Sequence, residues 1–132
     1  MHSLFGTSVL LAAVSFCVFT SWRAATAPAD FAGMLGLKLA NQGGGNEVRA
    51  QYAGFFGAVA AACAAALAGI LPRETAFFLL IIVFGGLFAG RMASLLLDNG
   101  TRGYPPAVRA LFAIDAFGLS LAWLAQVVDP NG

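Results

Sequence analysis

Charged side chains are scarce in this chain, and those inside its apolar stretches are the residues that could do chemistry: Glu47, Arg49, Arg91, Arg109 and Asp115. Two clusters stand out. One is Asn46-Glu47-x-Arg49-x-x-Tyr52-x-Gly54, and the other is Gly90-Arg91-x-x-Ser94-x-x-x-Asp98. On a helix, Arg91, Ser94 and Asp98 share one face, because they are spaced i, i+3, i+7. Arg91 lies about 9 Å inside the end of its apolar stretch and Asp115 about 12 Å inside the start of the next, at 1.5 Å per residue. An ion pair between them forms if their faces meet. Glu47 competes for Arg91 from the first turn of its own helix, where the dipole favours an anion. Arg49 sits about 200° around the helix from Glu47 and should face elsewhere, with an aspartate or Ser94 to accept from it. Tyr52 either adds a hydroxyl to the cluster or sits in an interfacial aromatic belt. A charge near the middle of a bilayer costs roughly 2.5–3.5 kcal/mol, so such groups lock helices in register or serve a ligand or proton.

Other chemistries lack their residues. The only histidine is His2, so no apolar stretch offers an imidazole to haem iron, chlorophyll magnesium or a transition metal. Cys17 and Cys63 lack metal-ligand spacing. No glycine loop precedes a Lys-Ser/Thr pair, and Ser94 has no histidine base. No metal site or cofactor and no enzymatic activity are expected. The net charge of +1, with dispersed basic residues, gives no reason to expect nucleic acid.

These residues must be positioned by membrane helices. The 132 residues are 60% hydrophobic and 10% charged, with mean hydropathy +0.84, too apolar for an ordinary soluble domain. Apolar stretches cover Ser3–Trp22, Glu47–Ile70, Thr75–Leu97 and Ala107–Val128. Each reaches the roughly 20 residues that a span needs. The expected fold is all-α, a single membrane domain over 1–132 formed by a four-helix transmembrane bundle. A signal peptide is not expected at the N-terminus, because no Lys or Arg precedes the apolar run.

Four crossings put both termini at one end, here end A, and the charged clusters at the other, end B. Between the first two spans, Pro28 and Asp30 mark a helix start, and Phe31, Met34, Leu35 and Leu39 recur at helical spacing. A short interfacial helix is expected there, with the Gly43-Gly44-Gly45 run ending the segment. Leu71-Pro72-Arg73-Glu74 makes the second and third spans an antiparallel hairpin. Small residues including Gly54 and Gly57 on the second span, and Gly86 and Gly90 on the third, predict close contact between those two helices, or a face for another subunit. Asp98-Asn99-Gly100 reads as a turn, and Pro105 and Pro106 open the fourth span. Cys17 and Cys63 should differ in depth by roughly 16 Å, too far for a disulfide.

At its two motifs the chain resembles a widespread bacterial family of small four-helix membrane proteins of unknown function. Members carry Asn-Glu-x-Arg followed by Tyr-Gly-Gly, then Gly-Arg-x-x-Ser with a following Asp-Gly. Here Ala53 stands at one glycine position, and Asn99 separates Asp98 from Gly100. The resemblance implies the four-helix fold, singles out Glu47, Arg49, Tyr52, Arg91, Ser94 and Asp98, and supplies no activity.

Arg23, Lys38, Arg102 and Arg109 lie at end B against Arg73 at end A. The positive-inside tendency then makes end B cytoplasmic and places both termini on the periplasmic side of a bacterial inner membrane. Three functions are expected to compete. The first is a non-enzymatic accessory or assembly subunit of a larger membrane complex, respiratory or photosynthetic. The second is a binder of an amphiphile, a quinone or lipid, with its head at Arg91, Glu47 and Asp115. The third is a component moving protons or small solutes, against which stands the lack of ionisable groups in the end-A halves of the spans. The expected partners are the lipid bilayer and other membrane subunits.

Overall fold

In the computed structural model, which describes residues 2–129, no strand occurs among the described residues, and four helices are long and apolar enough to cross a membrane. The first, α1, spans Leu4–Thr26 and starts at Ser3, whose side chain accepts from the Gly6 amide at 2.9 Å. It ends at Ala27, because the residue before a proline is driven out of the helical region. Pro28 then opens the short helix α2, Pro28–Met34, with Asp30 in its first turn and Phe31 and Ala32 buried. This is the helix expected between the first and second spans.

The second crossing begins earlier than the sequence predicts. Helix α3 spans Gln42–Val48, and the Asn41 side chain caps it by accepting from the Gly44 amide. The triple glycine therefore lies inside a helix and does not end the segment. A π-helical segment, Arg49–Gly54, follows and leads into α4, Phe55–Leu67. Gly69, at φ +74°, and Ile70 close α4 by donating to the carbonyls of Ala66 and Ala65, so the last turn is satisfied without a side chain. Helix α5 spans Arg73–Leu97, and α6 spans Pro106–Val128 with Pro106 in its first turn. At the end of α5 it is Asn99, at φ 55°, that takes the left-handed position, with Gly100 following at φ 126° and donating to the Leu95 carbonyl.

The helices pair differently from expectation. α1 packs chiefly on α4 and the π-helical segment, and α5 chiefly on α6, while the short-linked hairpin partners α4 and α5 share a smaller interface. The glycines explain this. A Cβ on Gly57 would come within 3.2 Å of Ser21 Oγ, so Gly57 serves α1. Gly86 and Gly90 have no neighbouring atom within 4 Å of that position, and Gly54 meets only the Arg49 carbonyl at 3.6 Å. Of the four glycines assigned to packing, only Gly57 lets another helix approach. Without a hydrophobic drive between helices in lipid, such close approach and dispersion carry the association. One core joins the two pairs through Leu10, Cys17, Cys63, Phe77 and Leu80.

Two hydrogen bonds pin α1 to the π-helical segment. Ser21 Oγ donates to the Ala53 carbonyl at 2.7 Å, and Arg49 Nε donates to the Ala25 carbonyl at 3.1 Å. Counting 1.5 Å per residue from the Ser21–Ala53 and Ser21–Gly57 contacts, Cys17 and Cys63 differ in depth by about 3–9 Å. The larger separation read from the sequence is corrected; both cysteines are free and share the core. Three further serine hydroxyls on the spans are satisfied within their own helix: Ser8, Ser15 and Ser120 donate to the carbonyls four residues back. In lipid there is no water to do so.

Candidate functional site

The centre of the site is an ion pair between the two most tightly joined helices. Arg91 Nε on α5 donates to Asp115 Oδ2 on α6 at 2.5 Å. The Asp115 side chain is 2% exposed, and the Arg91 side chain is 23% exposed. Antiparallel packing puts the second-last turn of α5 level with the third turn of α6, so the depths measured from end B agree to within one turn.

Around this pair lie two cavities that Arg91 lines in common. Toward end B, a polar mouth of about 580 Å³ is bordered by Gly36, Gly90, Ser94, Asp98 and Tyr104. Deeper, an apolar pit of about 280 Å³ is bordered by Phe16, Phe31, Phe56, Leu111 and Ile114, with Asp115 at its edge. Leu35, Tyr52 and Leu87 also line both. Gly86 and Gly90, expected as packing residues, leave the α5 wall of the mouth bare. The pit shares Phe16 and Ile114 with an apolar groove of about 190 Å³ between α1 and α6, with Gly118 and Leu121 on its α6 side.

Tyr52 forms part of the wall. Its ring centroid lies 5.0 Å from that of Phe31 and 6.4 Å from that of Phe56, nearly parallel to the latter. The π-helical segment carries it, and such insertions recur at functional sites. At the rim, Tyr104 donates its hydroxyl to Asp98 Oδ2 at 2.5 Å. That hydrogen bond, with burial and the charge of Asp98 adding to it, holds the Tyr104 phenol above its usual range.

Of the first motif only Tyr52 reaches the centre. Asn46 and Glu47 are exposed, and among the described residues Glu47 makes no ion pair, so it is not the competing partner of Arg91. Arg49 is exposed too and bonds the Ala25 carbonyl, supplying a cation to the negative end of α1. The physical reason is the π-helical segment, which interrupts the regular helical phase between Glu47 and Phe56. Arg109, at the mouth side of α6, donates to the Thr101 carbonyl at 3.4 Å.

A second ionic centre lies at end A, where none was expected. Arg73 Nη1 meets Asp129 Oδ2 at 3.2 Å, with both side chains buried. Arg73 is the first residue of α5, and Asp129 caps α6, so each lay just outside an apolar window. The signal that could have found them was their sign: an anion closing a helix C-terminus beside a cation starting its neighbour is a complementary pair. Arg73 Nε and Gln126 Oε1 are buried without partners there. Among the described residues, no three His, Cys, Asp or Glu side chains converge in a way that could hold a metal ion.

No family model matches the chain, and no curated protein or solved structure matches it either.

Proposed function

We propose that this chain is an integral membrane protein that binds an amphiphile, with its head at Arg91 and its apolar body in the pit between α1, α5 and α6. One observation carries the reading: the Arg91 side chain lines a polar mouth and an apolar pit at once. Ligand sites are typically apolar hollows with a few convergent polar groups, and an intramembrane ionisable pair is a functional candidate by default. Proton movement through one chain finds less support, because the groove between the two ion pairs has an almost wholly apolar lining. The likeness to the bacterial four-helix family, a location in a bacterial inner membrane and a cytoplasmic end B belong to this proposal as well.

The test is the extract of protein purified in mild detergent, compared between wild type and Ile114→Trp, which fills the junction of pit and groove. The proposal expects one amphiphile enriched with wild type and depleted in the variant. Indistinguishable extracts would count decisively against it. The accessory-subunit reading rests on a different observation, the outer face of α6, where Trp123, Leu124 and Val127 are all exposed. Native mass measurement after gentle extraction tests that reading, and a solitary chain argues against it.

A further inference from the structure

We infer that the head of the amphiphile is uncharged and rich in hydrogen-bond acceptors, of the benzoquinone type, and that it carries a single chain. This inference rests on the proposed function.

The charge of the joined cavities comes first. Their charged lining residues are Arg91, Asp98 and Asp115, one cation against two carboxylates. Arg91 is already matched by Asp115, and Asp98 is engaged by Tyr104. A phosphate or carboxylate head would lose its hydration beside two carboxylates, facing one cation that is already paired. Burying an ion without a free counter-charge is strongly unfavourable. At Asp115 a cationic head would have to displace Arg91, and Asp98, whose carboxylate can still pair with a cation, lies exposed at the rim and does not line the pit.

Donors come next. Arg91 reaches Asp115 through Nε, and among the described residues its two Nη amines have no partner. The Ser94 side chain borders the same mouth, while the Tyr104 hydroxyl is already given to Asp98. Donors without net positive charge match carbonyl oxygens, which accept hydrogen bonds and lose little on leaving water. The wall beside them is aromatic, with Tyr52 next to Phe31 and Phe56, and suits a flat head.

The tail follows from the wall that pit and groove share. Phe16 and Ile114 line both the pit and the α1–α6 groove. From Ile114 to Leu121 the groove runs about 10 Å along α6. Its free volume of about 190 Å³ suits one chain, which would pass beside Gly118 toward end A.

Three probes sharing one ten-carbon isoprenoid tail test the inference, with benzoquinone, monophosphate or trimethylammonium heads. Their binding to the protein in nanodiscs is measured by equilibrium dialysis, and Ile114→Trp nanodiscs define the part due to the site. The expected result is site-specific binding of the benzoquinone at least tenfold tighter than either charged probe, reduced tenfold or more by Arg91→Lys. If a charged probe binds as well as or better than the quinone in an Ile114→Trp-sensitive manner, the uncharged head is overturned while amphiphile binding stands. If no probe shows Ile114→Trp-sensitive binding, the proposed function falls and takes this inference with it.

Discussion

Arg91 and Asp115 should behave as one unit. Replacing Arg91 with Leu alone leaves the buried Asp115 carboxylate without its partner, and breaking such a pair costs about 3–5 kcal/mol. Replacing both with Leu should recover most of that loss, because paired apolar groups of similar size are often neutral. Unfolding of helicity in detergent titrations of the two single variants and the double variant checks this. At the rim, Tyr104 is the group whose titration can be followed. In a Tyr52→Phe background it is the only tyrosine, so tyrosinate absorbance should rise only above the usual value of about 10. A phenol whose folded value is raised stabilises the fold fully below its unfolded value and loses that contribution as pH climbs through the folded one. Asp98→Asn should move the titration back down. Arg91, Ser94, Asp98 and Asp115 were legible in the sequence, since depth from end B needs only a regular rise per residue. Glu47 and Arg49 were misread because a π-helical segment leaves no trace in spacing. Arg73 and Asp129 were missed because windows of apolar residues end where charges begin.

At the scale of elements, the glycines separate close packing from open wall. A Cβ at Gly118 would lie 2.8–3.0 Å from three ring carbons of Phe84, so Gly118→Ala should destabilise by about 1–3 kcal/mol through overpacking. Gly86→Ala meets nothing, and removing a glycine from a helix interior should stabilise by up to about 1 kcal/mol. Thermal unfolding of the two variants side by side measures the contrast. A reading in which Gly86 packs against α4 requires the opposite sign there. Small-residue stripes are visible in a sequence, but which helix they meet is decided by tilt and by anchors such as Ser21 on the Ala53 carbonyl. Caps were more readable, because Pro28 and Pro106 act through fixed local geometry.

At the scale of the whole molecule, α5 and α6 are bolted at both ends, by Arg91–Asp115 near end B and Arg73–Asp129 at end A. The four spans and the short helix were legible because length and hydropathy determine them, whereas the cavities arise from how the pairs α1–α4 and α5–α6 meet. That meeting leaves a hollow with a polar mouth, an ion pair at its throat and an apolar groove beyond. Gly6→Val probes the other end, since a Cβ there would come within 2.5 Å of Asp129 Oδ2; it should lower stability while leaving ligand specificity unchanged. The most direct test of the account is a map of where a bound amphiphile touches the protein. A quinone with a photoreactive group on its first isoprene unit, irradiated with the protein in nanodiscs, should label Phe16, Leu87 or Ile114. Labelling confined to outer residues such as Trp123 and Leu124, with none in the pit, would contradict it.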